Sequence, residues 1–394
     1  MTSTASRSER LPAVHLFNPA NDEALGSNNR WYTPSRHALQ YQHDCELLPI
    51  WWANDGDFII APHHSDEEIK AVADEAQVNV RRYPQGAYAE PMPWGWSRDA
   101  KRQFEEAGVP TTCLPTDENI QTMRLLSHRQ LAVDVNNDLY NHTGISAPNR
   151  PRLYSDTRQM EIHGGDDCLL KRPWSCSGRG VFPTSTLTDA ELLRLAGGII
   201  KRQRSVIVED ALPKAIDMSA LFYADDAKIT HQAWSLFQTM PDGRYIGSLV
   251  APQAEIANRL HDAAIFYGNH KADFTRLSDE LMEILHRHIP PMYKGWIGVD
   301  MLAYHSIGKE PRLQLAPCIE INLRMTMGIV ATLLANKPQL ANHTYLLRTV
   351  APGMGISNDS ILLTGSQRTG KFAVILEAAS CCICLDCSRQ ARFS

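Results

Sequence analysis

Cys318-Ile-Glu-Ile-Asn-Leu-Arg324 alternates with a period of two. Counting from Leu313, one parity holds Leu313, Leu315, Pro317, Ile319, Ile321 and Leu323. The other holds Gln314, Ala316, Cys318, Glu320, Asn322 and Arg324. In an extended strand the two parities face opposite ways, so Glu320, Asn322 and Arg324 share one face with Cα atoms about 7 Å apart. A carboxylate, an amide oxygen and a guanidinium in one row suit a hard divalent cation beside a phosphate. The competing reading is a half-exposed strand with a polar outer face, so the rest of the chain has to arbitrate.

Working outward, Gly295-Trp-Ile-Gly-Val-Asp-Met-Leu-Ala303 has Ile297, Val299, Met301 and Ala303 on one face and Asp300 on the other with Gly298. A carboxylate in a mostly apolar strand needs a partner if buried. A cation shared with Glu320 and Asn322 would supply one if the two strands are antiparallel neighbours joined by the polar stretch His305 to Arg312. Upstream, Leu170-Lys-Arg-Pro-Trp-Ser-Cys-Ser-Gly-Arg-Gly-Val181 reads as a strand delivering Lys171 into a Ser/Gly turn. Backbone amides of such a turn can approach phosphate oxygens closely, with Lys171 as a point charge beside them. Val208-Glu-Asp-Ala-Leu212 follows a β-branched strand and places Glu209 where a nucleoside could be held, with Asp217 beyond it. Each element alone is also a common surface pattern.

Taken together and in order, these segments resemble the ATP-grasp ligases. That family's pattern is a phosphate-binding Lys before a Gly-rich loop, an acidic hinge, a later Asp, then Glu-x-Asn with Arg two further on. Lys171, the Ser175 to Gly180 loop (Ser175, Ser177, Gly178, Arg179, Gly180), Glu209, Asp300, Glu320, Asn322 and Arg324 fill those positions. The resemblance implies that Lys171 and Arg129 hold phosphates and that the loop covers them. It implies a nucleoside pocket at Glu209, Asp210, Leu212 and Asp217, and one or two Mg²⁺ (or Mn²⁺) ions on Asp300, Glu320 and Asn322. Arg324 and Lys171 would be the catalytic cations. The activity implied is ATP-dependent activation of a carboxylate as an acyl phosphate for attack by an amine. Small-molecule carboxylate and amine substrates are the expected partners, and a homodimer is allowed. A kinase-like phosphotransferase and a non-catalytic ATP-binding regulator are the alternative readings. The match covers roughly residues 115 to 335. It departs from the family at Pro213-Lys-Ala-Ile216, where the usual hinge glycine is absent, and in Trp174, Cys176 and Arg179 within or beside the loop.

The expected fold is α/β and α+β: a loose segment 1–12, a Rossmann-like domain over 13–115, and an ATP-grasp pair over 116–205 and 206–364. A Cys-containing tail, 365–394, follows. In the first domain Val14 to Phe17, Phe58 to Ala61, Val78 to Val80 and Thr112 to Leu114 read as strands, with helices from Asp66 and Arg98 and a Pro/Trp/Gly-rich loop from Tyr83 to Trp96. The Asn18-Pro-Ala-Asn-Asp22 cluster ends the first strand, either as a plain turn or as a ligand-facing loop that shares a surface with Trp31, Tyr32 and Arg36. Asp117 to His142 reads as a helix broken near Ser127, and Thr188-Asp-Ala-Glu191 as a capping box. Phe274 to His288 has helical spacing, with His286 and His288 structural at its C-terminus.

Composition narrows the rest. The 394-residue chain has a formal net charge of -5, which argues against a nucleic-acid-wrapping protein. No apolar run approaches the roughly 18 residues needed to cross a membrane. The polar N-terminus predicts no signal peptide, and an odd total of 9 Cys points to reduced thiols in the cytoplasm. Cys381-Cys-Ile-Cys-Leu-Asp-Cys387 lacks a second Cys or His pair at zinc spacing. His63-His64 reads as a solvent-exposed pair. Gly365-Ser-Gln-Arg-Thr-Gly-Lys371 imitates a P-loop, but Phe372 stands where Ser or Thr must meet Mg²⁺.

Overall fold

A computed structural model of the protein describes residues 10–145, 147–175, 178–226, 228–240, 243–306, 311–341, 343–351, 353–365 and 370–379. Cys176, Ser177, residues 366–369 of the P-loop-like segment and the Cys381 to Cys387 cluster lie outside the described residues.

Strands β1 (Ala13–Leu16), β2 (Phe58–Ile60), β3 (Arg81–Arg82) and β4 (Glu90–Pro93) form a parallel sheet in the order β3-β2-β1-β4. Helices α1 (Asn21–Ser27), α2 (Arg36–Asp44), α3 (Asp66–Glu75) and α4 (Arg98–Glu106) accompany it. The last two strands differ from expectation. Val78 to Val80 gives way to Arg81–Arg82, and Thr111–Cys113 is a single 3₁₀ turn after Pro110. The fourth strand is instead Glu90-Pro-Met-Pro93, within what the sequence suggests is a loop. It lies at the sheet edge, with Glu90 N–H donating to Pro12 O and Trp94 N–H to Leu16 O. The alternate positions Pro91 and Pro93 thus face outward, where the missing N–H breaks no ladder bond.

Helices α5 (Asp117–Leu126) and α6 (Gln130–Thr143) break around Ser127, as expected. A four-stranded antiparallel sheet follows, with β5 (Arg152–Tyr154), β6 (Cys168–Lys171), β7 (Val181–Pro183) and β8 (Val206–Asp210) in the order β5-β8-β6-β7. The capping box of Thr188 and Glu191 starts α7 (Asp189–Gln203). This helix packs Leu192, Ala196 and Ile199 onto Cys168, Leu170, Val206 and Val208. By strand alternation the opposite face carries Leu169, Lys171, Ile207 and Glu209. Because β8 pairs with β5 and β6, this sheet continues to Asp210, past the expected boundary at 205.

The largest sheet is ten-stranded, in the order β13-β12-β15-β14-β9-β10-β11-β16-β18-β17. Its strands are β9 (Lys214–Asp225), β10 (Lys228–Thr239), β11 (Tyr245–Val250), β12 (Phe266–Tyr267), β13 (His270–Lys271), β14 (Gly295–His305), β15 (Leu313–Asn322), β16 (Tyr345–Val350), β17 (Ile361–Leu362) and β18 (Ala373–Ala378). Since β18 pairs with β16 and β17, the sheet runs past residue 364. One face is covered by α6, α8 (Gln253–Asp262) and α9 (Phe274–His288), through Val135, Leu139, Ile256, Leu260, Leu281 and Leu285. The other face is shared. Towards β11 and β16 it packs on α10 (Met327–Ala335) and on Leu47, Ile50 and Trp51 of the N-terminal domain. Around Ser219 and Asp300 it is polar and turned towards the four-stranded sheet.

Strict alternation fails in β15. Asp300 pairs with Glu320 but Leu302 with Ala316, so two steps on β14 span four on β15. This irregularity re-aims Cys318, which joins the apolar side with Leu315, Ile321 and Leu323 rather than sharing the face of Glu320. Its sulfur approaches Ala132 O at 3.8 Å.

Candidate active site

Asp300 and Glu320 are cross-strand partners, and Gly298 stands opposite Asn322. The antiparallel pairing inferred from the sequence is therefore present. Ser219 on β9, register partner of Asp300, donates its hydroxyl to Asp300 Oδ1 at 2.5 Å, and Asn322 Nδ2 donates to Oδ2 at 3.0 Å. Although part of Asp300 still reaches solvent, its pKa is pushed up to about 7. Burial is the larger cause, the charge of Glu320 the second; Ser219, Arg324 and Asn322 act in the opposite sense. Two carboxylates this close are poised for a cation.

Arg129 joins this row to the other sheet. Its Nη1 lies 2.8 Å from Glu320 Oε2. Its Nε donates to Arg172 O at 3.0 Å and its Nη2 to Ser175 Oγ at 3.3 Å. One buried guanidinium thus ties the strap after β6 to the carboxylate on β15. It occupies the short break between α5 and α6, where its own N–H donates to Pro173 O at 3.1 Å.

On the facing sheet, Lys171 and Glu209 form an ion pair, each about 95% removed from solvent at 4% and 5% exposure. Asn149 Nδ2 donates to the second Glu209 oxygen at 3.0 Å, while the buried Asn149 Oδ1 has no partner. That orphaned acceptor beside Glu209 fits a ligand N–H. Asp210 faces the other way. Its carboxylate meets Arg150 at 2.5 Å and Arg152 at 3.4 Å, which leaves only its backbone on the side of the expected nucleotide. Successive residues of a strand point to opposite faces, and only Glu209 looks into the cleft. Leu212 is partly exposed in the connection between β8 and β9. Asp217 is taken up by Lys214 at 3.0 Å and by the Thr239 hydroxyl at 2.8 Å.

The loop beneath is shaped by close packing. A Cβ on Gly180 would collide with Ser175 Oγ, and Gly178 has φ +74°. Glycine is the residue that tolerates both demands. Arg179 reaches towards Glu23 at 3.9 Å. Behind the loop, between α1 and α7, lies a crevice of about 850 Å³ lined by Arg172, Arg179, Arg194 and Arg202 among others. It shares Arg172 and Ser175 with the strap that Arg129 holds, and it includes none of the acidic row.

Arg324 points at the N-terminal domain. Asp22 receives Nε at 2.9 Å and Nη2 at 2.6 Å on the same oxygen, with Nε 3.0 Å from the other. The Asn18 to Asp22 cluster is therefore more than a turn. Asn18 exchanges hydrogen bonds with Gly95, donating to its O at 2.8 Å and accepting from its N–H at 3.3 Å. Gly95 is crowded: a Cβ there would collide with the side-chain amide of Asn21 and lie 3.1 Å from Arg324 Cβ. Tyr32 donates to Glu23 at 2.7 Å, whereas Trp31 stands exposed. Asn149 and Ser219 escape a reading of the sequence, which offers Asp22 only as a member of the Asn18 to Asp22 cluster. Only the parity of Ser219 with Asp217 could have pointed to it. His286 and His288 are structural, accepting from Ile229 N–H and facing Asp138. Cys45, Cys113, Cys168 and Cys318 are free thiols, and among the described residues no helix is long and apolar enough to cross a membrane.

No protein-family model and no curated protein matches this sequence. Among solved structures the fold is similar to the ADP complex of N5-carboxyaminoimidazole synthetase from Staphylococcus aureus, with TM-score 0.48, 10% identity and 96% of each chain covered. It is also similar to the biotin carboxylase domain of 2-oxoglutarate carboxylase from Hydrogenobacter thermophilus, with TM-score 0.47, 10% identity, and 94% of this chain and 87% of that one covered. A third is phosphoribosylamine–glycine ligase from Thermotoga maritima, with TM-score 0.47, 11% identity, and 93% and 90% covered. The chain itself is α/β and α+β, a parallel-sheet domain followed by a four-stranded antiparallel sheet and a ten-stranded sheet that is antiparallel except where β12 runs parallel to β15; Arg129 spans the two through Arg172 and Glu320.

Proposed function

We propose that this cleft binds ATP with Mg²⁺ (or Mn²⁺), and that the protein is an ADP-forming ATP-grasp ligase joining a small-molecule or peptide carboxylate to an amine. The observation that carries the reading is Arg129, which ties the Lys171 strap to Glu320 while Asp300 and Asn322 complete an acidic row beside it. A cation fits this donor set, because Asp300 is held up first by burial and then by the charge of Glu320, its partner across the strands, and a cation there would offset both. Asp300, Glu320 and Asn322 would hold it, and it would neutralise the transferring phosphoryl group.

The chain's own contribution is positioning and electrostatics. Lys171 and Arg129 would hold phosphate oxygens under the Ser175 to Gly180 loop. A phosphate drawn to Lys171 competes with Glu209, which with Asn149 is then available to the nucleoside. Backbone groups near Leu212 line the same end, as does Asp217 once Lys214 yields. Arg324, oriented by Asp22, would steady the acyl group where the carboxylate oxygen bonds to phosphorus and ADP departs. The amine then displaces phosphate. A cytoplasmic location and a homodimer belong to the same proposal.

The test is ADP release from purified protein against pooled carboxylates and amines. The ligase reading requires ADP and phosphate release dependent on both partners. A stable phosphorylated product without free phosphate would identify a kinase instead. ATP binding without turnover under every pool would identify a regulator.

A further inference from the structure

A second group of ligating side chains lies in the N-terminal domain, away from the acidic row. Helix α2 ends at Asp44, so His43 sits in its last turn and Glu46 just beyond it. The chain returns after β2, passes Pro62, and brings His63 against both. One ligand atom from each of His43, Glu46 and His63 lies within 4.8 Å of the other two. The two imidazole rings stack with centroids 3.5 Å apart and planes 18° from parallel. Glu46 is buried, and its orientation is fixed by His63, whose Nδ1 lies 2.8 Å away and whose backbone N–H donates at 3.1 Å.

We propose that His43, Glu46 and His63 form a binding site for a borderline divalent cation of the Zn²⁺ type. In tetrahedral coordination with bonds of about 2.0–2.1 Å, neighbouring ligand atoms stand about 3.4 Å apart. Metal binding would bring the ligand atoms from within 4.8 Å to that spacing and would turn the stacked rings so that their lone pairs converge. Two imidazoles and one carboxylate favour Zn²⁺ over Mg²⁺, which demands an octahedron of oxygens. The exposed edge of His63 leaves a fourth position for water.

The surroundings support this assignment. His64 is not a free surface residue, since its Nε2 meets His43 O at 2.9 Å and its Nδ1 lies 3.8 Å from Glu68. It braces the backbone that carries His43, as outer partners of metal sites do. Of the adjacent pair, His63 is the ligand and His64 the brace. Asp44, next to His43, accepts from the backbone N–H groups of Lys371 and Phe372 at 2.8 and 2.9 Å, which seats β18 of the large sheet. A cation clipping α2 to the loop after β2 would therefore rigidify the junction between the N-terminal domain and the largest sheet. Its role is structural, independent of turnover in the cleft.

The test uses the full chain with Cys381, Cys382, Cys384 and Cys387 replaced by Ser, so that the tail contributes no thiolates. The protein is stripped with chelator and titrated calorimetrically with Zn²⁺ in excess Mg²⁺. One Zn²⁺ per chain is expected, bound at least tenfold more weakly in His63→Ala and in His43→Gln, with a Zn²⁺-induced rise in Tm that both variants lose. His63 is exposed, so His63→Ala keeps the fold. Absence of Zn²⁺ binding, or binding and Tm shift unchanged in both variants, overturns the proposal.

Discussion

Replacing Asp300 by Asn should make the metal-free protein more stable, and increasingly so as pH rises. The sign follows from proton counting. Burial and then Glu320 raise the Asp300 pKa from an ordinary 3.8 to about 7. Between those values the folded state holds a proton that the unfolded state has lost. Stability contributed by the protonated carboxyl is thus fully present below the lower value and is lost as pH rises through the upper one. A shift of about three pKa units at about 1.4 kcal/mol each gives about 4 kcal/mol by pH 8. The residual solvent contact of Asp300 makes this an upper limit. About 3 kcal/mol of it accrues between pH 5 and pH 8. Asn keeps the shape, accepts from one of Ser219 and Asn322, and carries no charge for Glu320 to repel. Urea unfolding without divalent cations, followed by fluorescence of the 8 Trp, gives the variant-minus-parent difference at each pH. The difference should widen steadily with pH. Adding Mg²⁺ should stabilise the parent and leave the Asp300→Asn variant unmoved, with parental Mg²⁺ affinity falling up to about tenfold per pH unit below 7. A variant-minus-parent difference constant across this range would refute both the raised pKa and the reading of the row as a cation site.

Three further outcomes are expected. Lys171→Met leaves Glu209 buried without its counter-charge and should cost about 3–5 kcal/mol in urea unfolding, whereas Lys171→Met with Glu209→Leu should recover most of that loss; additive losses would contradict a buried pair. Gly180→Ala drives a Cβ into Ser175 Oγ and should weaken ATP binding by tenfold or more in calorimetry, through displacement of the Ser175–Arg129 contact; unchanged affinity would remove the loop from the phosphate site. Asp22→Asn replaces a carboxylate holding Arg324 bidentately and should destabilise by about 1–3 kcal/mol, while raising the KM for the carboxylate substrate more than that for ATP; equal changes in both would separate Arg324 from that substrate.

The parts legible in the sequence are those set by local chemistry. The α9 helix from Phe274 to His288, the capping box at Thr188 and the break at Ser127 follow from spacing and capping. The pairing of Asp300 with Glu320 was legible for a similar reason, since two amphipathic strands joined by one polar loop have few other ways to pair. Long-range geometry was hidden. No local signal tells that Pro91 and Pro93 lie on an edge strand, or that a bulge turns Cys318 away from Glu320. Nor does composition show that His63 faces His43 once β2 has run its course between them.

The contact between Arg324 and Asp22 joins the N-terminal domain to the acidic row. Arg324 is the last member of the polar row, and a guanidinium at the end of a strand would ordinarily be free to sample rotamers. Asp22 holds it by two nitrogens, and Asp22 is itself placed by the chain leaving β1, next to Asn18 clasping Gly95. Both side chains of the pair are largely buried, at 13% and 12% exposure, so the contact keeps its strength in salt better than a surface pair would. The parallel sheet therefore does more than flank the cleft. It fixes the orientation of a cation that the large sheet supplies, at the point where the strands of the first sheet end and a substrate would enter. On the proposed reading, a ligand carboxylate arriving there would meet Arg324 already ordered, which would lower the conformational entropy lost on binding. On the proposed ligase reading, specificity for the acceptor would reside in the loops around Asn18 and Gly95, and the phosphate chemistry between the two later sheets.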